Sequence, residues 1–150
     1  MIGDPEKRFD GLPVKTEYID GAKWKLAADV AYRIASGQFM NHFSTVRAGF
    51  IFDWASIPRV FWRIFPPTGL EGQPYGLAAL WHDWAYVHQS ISGIPCNRYD
   101  ADLLFKEIMV YVGVSPWIAW TMFMAVRIGG GRAWAKNTKA RSESHEQHGS

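Results

Sequence analysis

The chain has 150 residues and a mass of 17.0 kDa, which suits one domain. Hydrophobic residues make up 48% and charged residues 20%, which excludes a disordered chain, a collagen and a coiled coil. With 16 basic and 14 acidic residues the formal charge is +2, too balanced for a dedicated nucleic-acid binder, so no nucleic-acid partner is expected.

The first ten residues are charged and lack an apolar core, so no signal peptide is expected. From Val14 to Ile19 runs a β-favouring stretch, followed by Asp20-Gly21, a hairpin signal. Lys23 to Leu26 alternates polar and apolar, Val30, Tyr32 and Ile34 repeat the alternation, and Ser36-Gly37 marks a second turn. Phe43 to Phe52 reads as a further strand with Gly49 as a bulge or bend. The first third is thus a small antiparallel sheet, about 14–52.

The period then becomes helical. Ser56 can cap a helix with Pro58 in its first turn, ended by Pro66-Pro67. A loop from Thr68 to Gly76 leads to a second helix, about Leu77 to Gln89, and Ser90 to Cys96 is a loop. Asn97 caps a third helix, about Arg98 to Val112, and Ser115-Pro116 starts a fourth that stops at Gly129-Gly130-Gly131. No charge falls between Ile108 and Val126, but Gly113 to Pro116 interrupts the run. Two helices joined by a turn explain it better than a membrane-associated segment, and no transmembrane segment is expected. The expected fold is α+β, a short sheet followed by about four helices. Its single domain covers 1–134, and 135–150 forms a polar, flexible tail.

The densest chemical signal lies in the helix Leu77-Ala-Ala-Leu-Trp-His-Asp-Trp-Ala-Tyr86. An apolar helix does not bury an imidazole and a carboxylate without partners. His82 and Asp83 stand four and three residues before Tyr86, so the three can line one cleft. Neutral imidazole serves as a general base, and a carboxylate can hold a metal ion. A structural His–Asp pair near the helix end fits the same residues.

On the next helix Asp102 shares the apolar face of Phe105 and Met109, so it needs a partner. Held against His82, it would fix the imidazole's tautomer as a triad's third member does; a buried ion pair bracing two helices is the alternative. Arg98 can pair with Asp102 or with Asp100, which falls on the solvated side. Asp53, where sheet gives way to helix, either caps a turn or joins the site. Asp53, His82, Asp83 and Asp102 together would suit a divalent cation. His42, His88, His145 and His148 read as surface or structural residues, and Cys96 as a lone structural thiol.

These blocks, taken in order, resemble a family. Gly49-Phe50…Asp53…Ser56-Ile57-Pro58-Arg59, then His82-Asp83…Tyr86, then Arg98…Ala101-Asp102…Phe105…Met109, then Ala125-Val126-Arg127…Gly130…Trp134 look like domain-of-unknown-function family thirteen fifty-three. The resemblance covers about 12–134. It implies a tailed phage or prophage as source, and so a phage virion or infected bacterial host as location.

A partial resemblance bears on chemistry. His82-Asp83-x-x-Tyr86 with Asp102 on the next helix is similar to the secreted A-two phospholipases. That resemblance implies that His82 activates water, Asp83 binds calcium and Asp102 orients the imidazole. The disulfides of those enzymes are missing here, and no Gly-rich calcium loop precedes His82. Trp81-His82-Asp83 also looks like the metal motif of the all-helical phosphohydrolases, against which the β-rich first third argues.

The functional expectation is a hydrolase with His82, Asp102 and Tyr86 as catalytic residues and a divalent cation, calcium in the lipase-like case, at Asp83 and Asp53. Its target would be an ester or amide bond in host-envelope lipid or peptidoglycan. The rival expectation is a non-enzymatic neck, tail, baseplate or assembly protein that binds phage structural proteins.

Overall fold

A computed structural model describes residues 8–21, 23–52 and 74–149. Asp53 and the helix expected after Ser56 lie outside the described residues. Short antiparallel sheets come first and four helices follow, an α+β arrangement.

Strands β1 (Phe9–Asp10), β4 (Val30–Arg33) and β5 (Phe43–Val46) form one sheet in the order β1-β4-β5. Strands β2 (Thr16–Asp20), β3 (Lys23–Leu26) and β6 (Ile51–Phe52) form another, in the order β2-β3-β6. The Asp20-Gly21 hairpin forms as expected between β2 and β3, with Gly21 at φ 54°. The strand expected over Phe43–Phe52 divides in two. Gly49, at φ 90°, turns the chain so that β5 pairs with β4 and β6 pairs with β3.

In the first sheet Val30 faces Val46 and Tyr32 faces Ser44, and all four are buried. This face meets helix α1 (Pro74–His88), whose Trp81 is fully buried and donates its indole N–H to the Ser44 carbonyl at 2.8 Å. Phe9 and Tyr32 pack on the Trp81 ring at centroid distances of 5.4 and 6.4 Å. The indole thus supplies a large apolar surface while its one polar atom is satisfied.

The segment expected as a loop, Ser90 to Cys96, holds a tight hairpin of β7 (Ser90–Ile91) and β8 (Ile94–Pro95). Helix α2 (Arg98–Tyr111) follows, with Asn97 at its N-cap as expected. The Asn97 side chain accepts from the Asp100 N–H at 2.8 Å, and the Asp100 carboxylate accepts from the Asn97 N–H at 3.0 Å. Helix α3 (Pro116–Gly129) starts on a proline, where no hydrogen bond is lost. Residues expected to trail as a polar tail form helix α4 (Gly131–His148), none of whose residues is buried. Gln89 ties it to α1 by donating to the Trp134 carbonyl at 3.0 Å and the Thr138 hydroxyl at 2.8 Å.

Glu107 of α2 latches the helices to the sheet. Its carboxylate accepts from the Tyr32 hydroxyl at 2.8 Å, the Ala35 N–H at 3.2 Å and the Ser36 hydroxyl at 2.5 Å. Replacing Glu107 by Ala leaves the hydroxyl of the buried Tyr32 without its acceptor. We expect a loss of about 2 kcal/mol of stability, read as a lower urea midpoint with an unchanged slope.

Candidate active site

Two small residues set the site's geometry. Ala85 on α1 and Ala101 on α2 are both fully buried, so the helices approach closely where they cross. One turn back on α1 is His82 and one residue on from Ala101 is Asp102, and the crossing brings them together. His82 Nε2 lies 2.7 Å from Asp102 Oδ1, with His82 only 3% exposed and Asp102 0%.

Asp102 is the centre of a wider set. The Tyr86 hydroxyl donates to the same Oδ1 at 2.7 Å. The other oxygen, Oδ2, accepts from Arg127 of α3 at 2.9 Å, and Arg98 stands 3.9 Å from it. Arg98 spends its donors chiefly on the last turn of α3, reaching the Val126 carbonyl at 3.3 Å and the Arg127 carbonyl at 2.9 Å. A cation there answers the negative end of the helix dipole.

Burial by itself would raise the Asp102 pKa. The hydrogen bonds from His82, Tyr86 and Arg127 outweigh burial and hold the carboxyl below its usual range. Tyr86 moves the opposite way: burial and the adjoining carboxylate push its pKa up, so the phenol keeps its proton and acts as a donor.

With Asp102 ionised, the atom facing it on a neutral imidazole must be the protonated one. Nε2 therefore donates to Asp102, and Nδ1 carries the lone pair. Nδ1 is buried and has no hydrogen-bond partner among the described residues. Tyr86 and Phe105 hold the ring from either side at centroid distances of 4.3 and 4.8 Å.

His82 contributes to the lining of a cleft of about 550 Å³. Asp83 and Tyr86 line it too, with Phe52 of β6, Phe50 just before that strand, and Val126 from α3. Lys23 and Asn137 add further polar groups to a largely apolar wall. The structure thus gathers four of the five expected site residues, His82, Asp83, Tyr86 and Asp102, around one cleft, with Asp102 sealed behind the imidazole. Asp83 is among the residues that line the cleft, and among the described residues no three His, Cys, Asp or Glu side chains are grouped to hold a metal ion. Burial pushes the Cys96 thiol up to about 12, which keeps it protonated.

Two residues named in the family blocks, Arg127 and Gly130, had no role assigned from the sequence. The role of Arg127 rests on the three-dimensional approach of α3, which aims it at Asp102. Gly130, between α3 and α4, lies so near the Tyr86 hydroxyl and the Val126 carbonyl that a Cβ there would collide with both.

A family model described as "Protein of unknown function (DUF1353)" matches residues 24–126, and the chain belongs to that family. No curated protein and no solved structure matches the chain.

Asp102→Ala leaves the buried His82 and Tyr86 and the half-buried Arg127 without their acceptor and is expected to cost about 3–5 kcal/mol. The pH dependence follows from the lowered pKa. The folded chain holds the Asp102 proton less readily than the unfolded one, so this stabilisation is complete above about pH 4 and declines as acid titrates the folded carboxyl. Asp102→Asn should flatten that part of the stability–pH profile measured by thermal melts. An unchanged acid limb would show that the carboxylate is not held as described.

Proposed function

We propose that this protein is a phage-encoded hydrolase of an ester or amide bond in the bacterial envelope. The observation that supports the reading is the His82 ring, fixed through Nε2 by an ionised Asp102, with an Nδ1 that has no partner among the described residues, in a residue that lines a largely apolar cleft. A buried polar atom without a partner costs free energy. A group that only braces two helices gains nothing from that cost, whereas a general base must keep one lone pair free for its proton.

In the proposed reaction a water molecule donates its proton to Nδ1 as its oxygen attacks the substrate carbonyl carbon. The new C–O bond leaves a tetrahedral oxyanion, and Asp102 stabilises the imidazolium formed beside it. Collapse breaks the bond to the leaving oxygen or nitrogen, which takes the proton from Nδ1. Tyr86 and Arg127 hold Asp102 in place during both transfers. A divalent cation at Asp83, with Asp53 as a further ligand, would supply Lewis-acid polarisation of the carbonyl, and calcium suits such oxygen donors.

The rival is a virion or assembly component that binds phage structural proteins. It assigns the dyad to bracing and gives no role to Nδ1.

The test is product release from a short-chain nitrophenyl ester, phospholipid vesicles and purified peptidoglycan, with calcium and with chelator. The wild-type chain should cleave one of them. His82→Asn should lose about a hundredfold or more while keeping a cooperative thermal transition. Equal rates for the two proteins, or no cleavage of any substrate by wild type, would overturn the proposal.

A further inference from the structure

Helix α3 buries Ala119, Met122, Phe123 and Val126 and turns large apolar residues outward on its other side. Trp117 is 69% exposed, Trp120 56% and Ile128 83%, with Met124 beside them. At about 100° per residue these four fall within an arc of about 80°. Single exposed apolar residues are ordinary, but an aligned row of four that includes two Trp marks a contact surface.

The cleft lies about a third of a turn away on the same helix, where Ala125 and Gly129 line it. Helix α4 repeats the pattern with charge. Ala133 and Asn137 line the cleft, and about a third of a turn from them stand Arg132, Lys136 and Lys139 within an arc of about 60°. All three are exposed, and none pairs with a carboxylate among the described residues. From Gly113 to Ser142 the chain carries five basic residues and no acidic one. An apolar row rich in Trp on α3 and a cationic row on α4, on two helices that both line the cleft, together complement an anionic bilayer: indoles settle at the headgroup level and basic side chains meet the lipid charge.

We infer that the α3–α4 rim of the cleft docks on an anionic lipid surface and presents the cleft to an acyl chain. The docking rests on the hydrolase reading only for its purpose, which it sharpens from envelope in general to membrane lipid. A lipid tail fits a wall formed by Phe50, Phe52 and Val126, with Lys23 available to a negatively charged headgroup.

The experiment is co-sedimentation of the full chain with phosphatidylglycerol-containing vesicles and with pure phosphatidylcholine vesicles. We expect binding to the anionic vesicles, weakened by added salt. Trp117→Ser/Trp120→Ser, or Arg132→Glu/Lys136→Glu/Lys139→Glu, should reduce it by about tenfold or more. Both sets replace exposed side chains, and circular dichroism checks that folding is kept. Failure of the wild-type chain to bind anionic vesicles, or full binding by both variants, overturns the inference. A dimer in sedimentation velocity that the Trp variant dissolves, without vesicle binding, assigns the face to a second copy and overturns it as well. Vesicle binding without hydrolysis by wild type sinks the hydrolase reading alone. Hydrolysis of the soluble ester without vesicle binding sinks the docking alone.

Discussion

A carboxylate with no access to water must be compensated completely or not exist as an ion. Asp102 meets that demand with donors from two other helices, His82 and Tyr86 of α1 and Arg127 of α3. Much of the helical architecture serves this one group. Ala85 and Ala101 let α1 and α2 close to hydrogen-bond range, Arg98 draws in the end of α3, and Gly130 leaves room for the Tyr86 hydroxyl. Any change that moves one helix by an ångström leaves an unpaired charge in the interior.

The same compensation produces the chemical asymmetry of His82. Because Asp102 is held ionised, it accepts, and the imidazole has only one neutral tautomer that suits it. The lone pair is thereby placed on Nδ1, away from the carboxylate. The network that resists unfolding therefore also selects which ring nitrogen keeps the lone pair.

Much of this was legible in the sequence, for identifiable reasons. An imidazole and a carboxylate inside the run from Leu77 to Tyr86 conflict with their apolar surroundings, and such conflicts point to function. Asp102 was legible because helical spacing puts it on the face of Phe105 and Met109, and the match over 24–126 bears out the family resemblance. The role of Arg127 was not legible, since it depends on how α3 crosses α2, and no local pattern encodes a crossing. The division of Phe43–Phe52 into β5 and β6 turns on the backbone of Gly49, which a bend and a bulge predict equally well. Helix α4 was missed because a helix that buries none of its residues has no apolar period to detect.

Asp102 fixes His82 with its proton on Nε2 and leaves Nδ1 unprotonated. Nitrogen-15 NMR of the imidazole ring, with His82→Gln to assign the signal, reads this arrangement. For the neutral ring we expect a protonated Nε2, with its hydrogen shifted far downfield by the Asp102 contact, and an unprotonated Nδ1. A proton found on Nδ1 instead, or a ring that samples both tautomers, would rule the arrangement out.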